Sequence, residues 1–212
     1  MTIVKNFFAV VLASALFCSC NNSADKTAEK QTDASHKMHN MTSSSTGYAD
    51  SVNNGLIAQD TMKSSPQRTA MSSVGNAHLH ITYHSPGVKG RIIWGGLVPY
   101  NQVWATGAHT ATNIQINHPI EIDSKKIDAG TYAIFTIPGE KEWTFILNKN
   151  YQQHLTDDYK ETEDLLRLMV KPVENKLVQR LTYKVNKTGD GTGTISMEWE
   201  KIKIDIPFKT LQ

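Results

Sequence analysis

The stretch Asn76–His84 reads Asn-Ala-His-Leu-His-Ile-Thr-Tyr-His and carries imidazoles at positions 78, 80 and 84. Strand alternation puts these rings and Thr82 on one face, and Ala77, Leu79, Ile81 and Tyr83 on the other. Residues i and i+2 on a strand face lie roughly 6.5–7 Å apart, so two imidazoles there can converge on one ion with bonds of about 2 Å. His78 and His80 satisfy that spacing. His84 lies roughly 13 Å from His80 along a straight strand. It joins them only if the strand bends; otherwise it pairs with His109 of a later loop and forms a second, neighbouring site. Neutral imidazole suits copper, zinc or nickel. The competing use of His78 and His80 is as solvated side chains on an edge strand. His118, before Pro119, and His154, in a polar stretch, read as surface residues.

Upstream, His36-Lys37-Met38-His39-Asn40-Met41 mixes imidazole with thioether. Thioether favours Cu(I), and imidazole takes Cu(II) or zinc. The expected ligands are therefore His78, His80, His84 and His109, with His36, Met38, His39 and Met41 as accessories. The expected ion is copper or zinc, and no organic cofactor is expected. No HExxH, nucleophile elbow or spaced carboxylate motif names a reaction.

Short strands must position these groups. Alternation or compact apolar character marks residues 77–84, 91–94, 113–117, 120–122, 130–137, 143–147 and 165–170. Two longer segments, 177–185 and 194–206, flank Gly189-Asp190-Gly191, a strong hairpin signal. Lys125-Lys126 reads as a turn, and Asp157–Asp164 as a polar surface loop in which the acids form a solvated face. No helix of three turns is convincing. The pattern predicts an all-β fold, an antiparallel sandwich or partly open barrel of about eight strands. The four tryptophans read as core, with Trp104 a candidate pocket wall.

The N-terminus is a different material. Lys5 precedes an apolar run, Phe7–Phe17, that is too short to anchor as a stable span. Leu16-Phe17-Cys18-Ser19-Cys20 has the form of a bacterial lipobox, with Cys20 as the lipidated residue. Cleavage before Cys20 leaves one cysteine, so no disulfide is expected. The plain secretory signal is the competing reading. Residues 1–19 are thus expected to be a lipoprotein signal peptide. Residues 20–71, rich in Ser, Thr, Asn and Lys, are expected to form a disordered polar tether. Residues 72–212 are expected to be the β-domain, which is long enough for a real core. Asn21-Asn22 after Cys20 is not an acidic export tag, so a lipid-anchored position in the cell envelope facing the periplasm is the expectation. The net charge of +2 argues against a nucleic-acid partner.

Two segments go beyond pattern: "YHSPGVKGRIIWGGLVPYNQVWATGAHTAT" and "IDAGTYAIFTIPGEKEWTFILNK". With "MVKPVENK", "RLTYKV" and "WEKIKIDIPF", they resemble the domain-of-unknown-function 2911 family over residues 74–209. That resemblance implies an all-β domain of exported or lipid-anchored proteins, chiefly from Bacteroidota, and implies no activity. The family usually reads Tyr-Ser-Arg-Pro where this chain has Tyr83-His84-Ser85-Pro86. It usually reads Trp-Arg-Thr-Gly-Ala-Asn where this chain has Trp104-Ala105-Thr106-Gly107-Ala108-His109. Two arginines are missing and two histidines have appeared, while Arg91, Trp104, Gly107 and Thr112 match. If both motifs line one pocket, formed with Arg91, Trp104 and Thr112, that pocket has exchanged fixed charge for imidazole.

Three functions compete. The first is a lipid-anchored module that binds a transition metal, copper before zinc. The second is a metal-dependent hydrolase. The third is a glycan- or protein-binding module that uses Trp104, Tyr100 and the Gly-rich loop without metal. The membrane, through lipid on Cys20, is the expected partner.

Overall fold

The computed structural model describes residues 47–211. The signal sequence, Cys20 and the group His36, Met38, His39 and Met41 lie outside them. The described residues form ten strands: β1 (Gln67–Val74), β2 (Ala77–His84), β3 (Thr112–Ile116), β4 (Ile120–Ile122), β5 (Lys125–Ile127), β6 (Gly130–Ile137), β7 (Trp143–Asn148), β8 (Asp164–Val170), β9 (Val173–Gly189) and β10 (Thr192–Thr210). One short helix, α1 (Tyr48–Asn53), precedes them. Two antiparallel sheets, ordered β1-β2-β3-β6-β7-β8 and β5-β4-β10-β9, make the expected β-sandwich.

Alternation explains the packing. Along β2 every odd side chain from Ala77 to Tyr83 is buried and every even one is only partly covered. The buried set, with Ile114 and Ile116 of β3, meets Ile195, Met197 and Trp199 of β10 in one apolar core. Each such side chain removed from water contributes roughly 1.5–3 kcal/mol. The β9–β10 hairpin turns at Asp190-Gly191, where Gly191 has φ 71°, a left-handed conformation that glycine adopts without steric cost.

The fold differs from the sequence expectation at four places. It begins upstream of Ser72: α1, an extended strap over residues 54–66, and the start of β1 fall where composition suggested a tether. They are held by polar contacts together with two buried apolar side chains, Ala49 and Val52. Asn53 uses its amide as a ladder partner, donating to the Arg180 carbonyl (2.9 Å) and accepting from the Arg180 N–H (2.7 Å). Asp50 pairs with Arg68 of β1. Residues 91–94 form a tight loop instead of a strand. The turn expected at Lys125-Lys126 lies at Asp123-Ser124, both with positive φ, and the two lysines open β5. Finally, Asp164 does not belong to a solvated acidic face. Its side chain is buried and accepts from Asn148, Tyr159 and Arg167 at 2.8, 2.7 and 2.7 Å.

Candidate functional site

The chain leaves β2 at Ser85 and re-enters the sheet at Thr112. Residues 85–111 between them carry no strand of their own, and connections of this length in a compact domain are usually functional. Backbone bonds fix the segment at several points. Val88 N–H reaches the Gln179 carbonyl (2.7 Å), and Asn101 N–H reaches that of Pro138 (2.8 Å). Trp104 exchanges a pair of bonds with Thr136 of β6, at 2.8 and 3.0 Å. His109 accepts from Leu155 N–H (3.0 Å).

Pinned in this way, the segment curls over the edge of the core and leaves a cavity of about 480 Å³, within the usual range for small-molecule sites. Trp104 and Trp199 wall it, their rings stacked at 5.6 Å and 22°. Trp94 touches Trp104, Trp143 and Trp199 edge to face, so all four tryptophans of the chain share one cluster. Trp104 donates to the Gly107 carbonyl at 3.2 Å. Trp199 is 1% exposed, and its Nε1 is buried without a hydrogen-bond partner. A buried donor left unpaired is costly.

The polar part of the lining is cationic. Lys63 and Lys89 join Arg91 around the cavity, and no Asp or Glu lines it. Asp60, outside the lining, feels the charge of Lys89 but is committed elsewhere. It pairs with Arg180 at 2.8 Å, with both side chains buried. Burial would raise the Asp60 pKa, but the Arg180 hydrogen bond and charge, the Tyr48 hydroxyl and Lys89 together hold it below the usual value. Arg91 is oriented by the carbonyls of Val88 and Gly87, and Lys89 by that of Met62.

Of the residues expected to bind, Arg91 and Trp104 do line the cavity. Thr112 does not. It is fully buried, and its hydroxyl donates to the Thr106 carbonyl at 3.0 Å, bolting down the Thr106-Gly107 corner. A Cβ at Gly107 would stand 2.7 Å from that same hydroxyl, so the corner requires glycine. The exchange of fixed charge for imidazole is also incomplete. Ser85 and Ala105, at the two family arginine positions, are buried, while Lys63 and Lys89 supply positive charge from other segments. Lys89 stood inside the quoted motif. Trp199 opens another of the quoted motifs and read as core, and Lys63 had no local signal; the fold alone brings β10 and the strap to this place.

The histidines divide into pairs. His84 and His109 meet edge to face, ring centroids 5.0 Å apart, as the pairing of the two motif loops required. His109 lines the cavity. It has φ 64°, a conformation that Asn, Asp and His tolerate better than most residues. Burial, then the neighbouring His109, lowers the His84 pKa below its ordinary value. His78 and His80 stand two residues apart on the partly covered face of β2. His78 Nδ1 meets Ser73 Oγ at 3.0 Å, and His80 Nε2 is buried without a partner. Among the described residues no three His, Cys, Asp or Glu side chains are grouped to hold an ion. The expected four-ligand centre is therefore not assembled within the β-domain: the strand runs too straight to bring His84 to His80. His118 and His154 are exposed, as expected, and His154 pairs with Asp157 at 2.9 Å. No helix among the described residues is long and apolar enough to cross a membrane.

No curated protein and no solved structure matches the chain. A family match covers residues 65–208, from the strap through β10. The chain belongs to the family described as "Protein of unknown function (DUF2911)".

Proposed function

We propose that this protein is a binding module of the bacterial cell envelope, tethered by lipid on Cys20, that takes a small organic ligand into the cavity beneath residues 85–111. The observation that carries this reading is the stacked Trp104–Trp199 wall of a cavity of about 480 Å³. Stacked indoles favour a flat apolar body through dispersion and burial. Three cations and no catalytic pair favour retention over reaction. The test is tryptophan-fluorescence titration of the mature protein with naphthalene probes in neutral, anionic and cationic forms. Binding of any form, lost in Ala108→Trp with the melting temperature unchanged, supports the reading. No binding of any form by the wild type overturns it.

The contact of His84 with His109 favours a second reading, a copper or zinc ion held by two imidazoles and completed by water. Rings bound to one ion at a tetrahedral angle have centroids roughly 5 Å apart, given bonds of about 2 Å. The lowered pKa of His84 keeps it neutral and able to ligate. His36, Met38, His39 and Met41 would serve as accessory donors. Calorimetric titration with copper and zinc tests it: uptake lost in His84→Ala and His109→Ala supports the site, and equal uptake by the variants removes it.

A further inference from the structure

We infer that the ligand of the cavity is an organic anion, a carboxylate on a flat apolar body, with the acid group at the cationic rim and the body against Trp104 and Trp199. This inference rests on the binding reading above and names its ligand class.

Charge accounting carries the argument. Lys63, Lys89 and Arg91 surround one cavity, and no carboxylate lines it. Elsewhere among the described residues several cations are matched, and others, such as Lys141 and Lys201, stand singly; what marks the cavity is three cations around one space with no carboxylate. Arg68 has Asp50, Arg167 has Asp164 and Arg180 has Asp60; Lys184 has Glu198, Lys203 has Asp205 and Lys209 has Glu121. Among the described residues Lys63, Lys89 and Arg91 have no ion pair, although Arg91 and Lys89 are oriented by backbone carbonyls. Asp60, which feels Lys89, is neutralised by the closer Arg180. The rim therefore holds surplus positive charge from two chain segments, the strap and residues 85–111. Cations held by carbonyls keep their charge and lose orientational freedom, so they are set for an incoming anion.

The apolar half of the ligand follows from the other wall. Leu97 and Val98 line the cavity beside the stacked indoles. A bare inorganic anion would leave that apolar surface uncovered. A compact polyanion such as a nucleoside triphosphate would add charge beyond the three cations. One acid group and one flat apolar body use both walls. His109 adds a side chain at the same rim.

The test compares three matched probes on the full mature chain: 1-naphthaleneacetate, 2-(1-naphthyl)ethanol and 2-(1-naphthyl)ethylamine. The acid is expected to bind about tenfold tighter than the alcohol, and the amine weakest, with the acid's advantage falling as salt screens the exposed cations. In Lys63→Gln/Lys89→Gln/Arg91→Gln the acid-to-alcohol ratio should fall to about one. If the triple variant is unstable, Lys63→Gln alone, at an exposed strap position, should lower the ratio. Equal affinity for acid and alcohol in the wild type overturns the anion assignment and leaves the binding module standing. Binding of none of the probes overturns both. A ratio unchanged in the triple and single variants also overturns the assignment.

Discussion

His84 at the end of β2 and His109 near the far end of residues 85–111 pack edge to face, ring centroids 5.0 Å apart at 81°. The contact closes the segment that roofs the cavity and couples the two rings electrostatically. Burial first, and the neighbouring imidazole second, make His84 hard to protonate. An NMR titration of the ring protons should therefore place His84 below the ordinary 6.5. His109→Asn should raise it only in part, because the burial contribution stays. The unfolded chain takes up this proton more readily than the folded one. Stability thus holds above pH 6.5 and falls as pH drops from there through the folded pKa. A His84 that titrates at or above 6.5 contradicts the partly covered edge-to-face contact.

Tyr159 and Asp164 supply a sharper titration. The Tyr159 hydroxyl donates to Asp164 at 2.7 Å. Burial, that hydrogen bond and the carboxylate charge push its pKa up to about 12, against the pull of Arg167. Ultraviolet titration should show Tyr159 ionising well after the exposed tyrosines, in a late group with the buried Tyr83 and Tyr183. Asp164→Asn removes the charge and should bring Tyr159 back toward 10. A carboxylate pointing into solvent, as the sequence suggested, would leave the titration unchanged in this variant.

These two sites mark what was legible. The alternation of residues 77–84 and the Asp-Gly turn report local structure, and both appear in the fold where the sequence placed them. The meeting of His84 and His109 was accessible because two motifs flank one loop. Asp164 was misread because an acidic run looks alike whether solvated or turned inward; only Asn148, Tyr159 and Arg167, brought by other elements, decide it. The same holds for the cavity. Trp104 and Arg91 lie in one motif, whereas Lys63 and Trp199 reach it from the strap and from β10. Residues 47–66 escaped notice because polar bonds and the two side chains of Ala49 and Val52, not apolar periodicity, attach them.

Arg180 and Asp60 are the clearest of those attachments. The guanidinium is fully buried and donates to Asp60, to the carbonyls of Met62 and Ser64 of the strap, and to that of Ser85 just past the end of β2, all within 2.8–3.1 Å. Asp60→Asn leaves that charge without its counterion, a change that costs about 3–5 kcal/mol at a buried pair. Urea unfolding should report the loss. The depressed Asp60 pKa makes its contribution complete above 3.8, lost as pH falls through the folded value. The variant should accordingly show a weaker acid transition. A cost under about 1 kcal/mol would mean that the pair is solvated.

The strap should then behave as part of the domain. A chain that starts at Gly47 keeps α1, Asp60 and the carbonyls of Met62 and Ser64, and should unfold like the full mature protein. A chain that starts at Gln67 keeps every strand but strips Arg180 of its carboxylate and two acceptors, leaving a buried cation against the core. It should lose about 3 kcal/mol or more, or precipitate. Replacing the stranded cation separates this cause from simple loss of contact area. Arg180→Leu should destabilise the Gly47 chain, where it breaks the pair, yet stabilise the Gln67 chain, where it removes an uncompensated charge. Opposite signs for one substitution in two backgrounds require the strap to be the partner of Arg180. The same sign in both, or equal stability of the two chains, would return residues 47–66 to the tether.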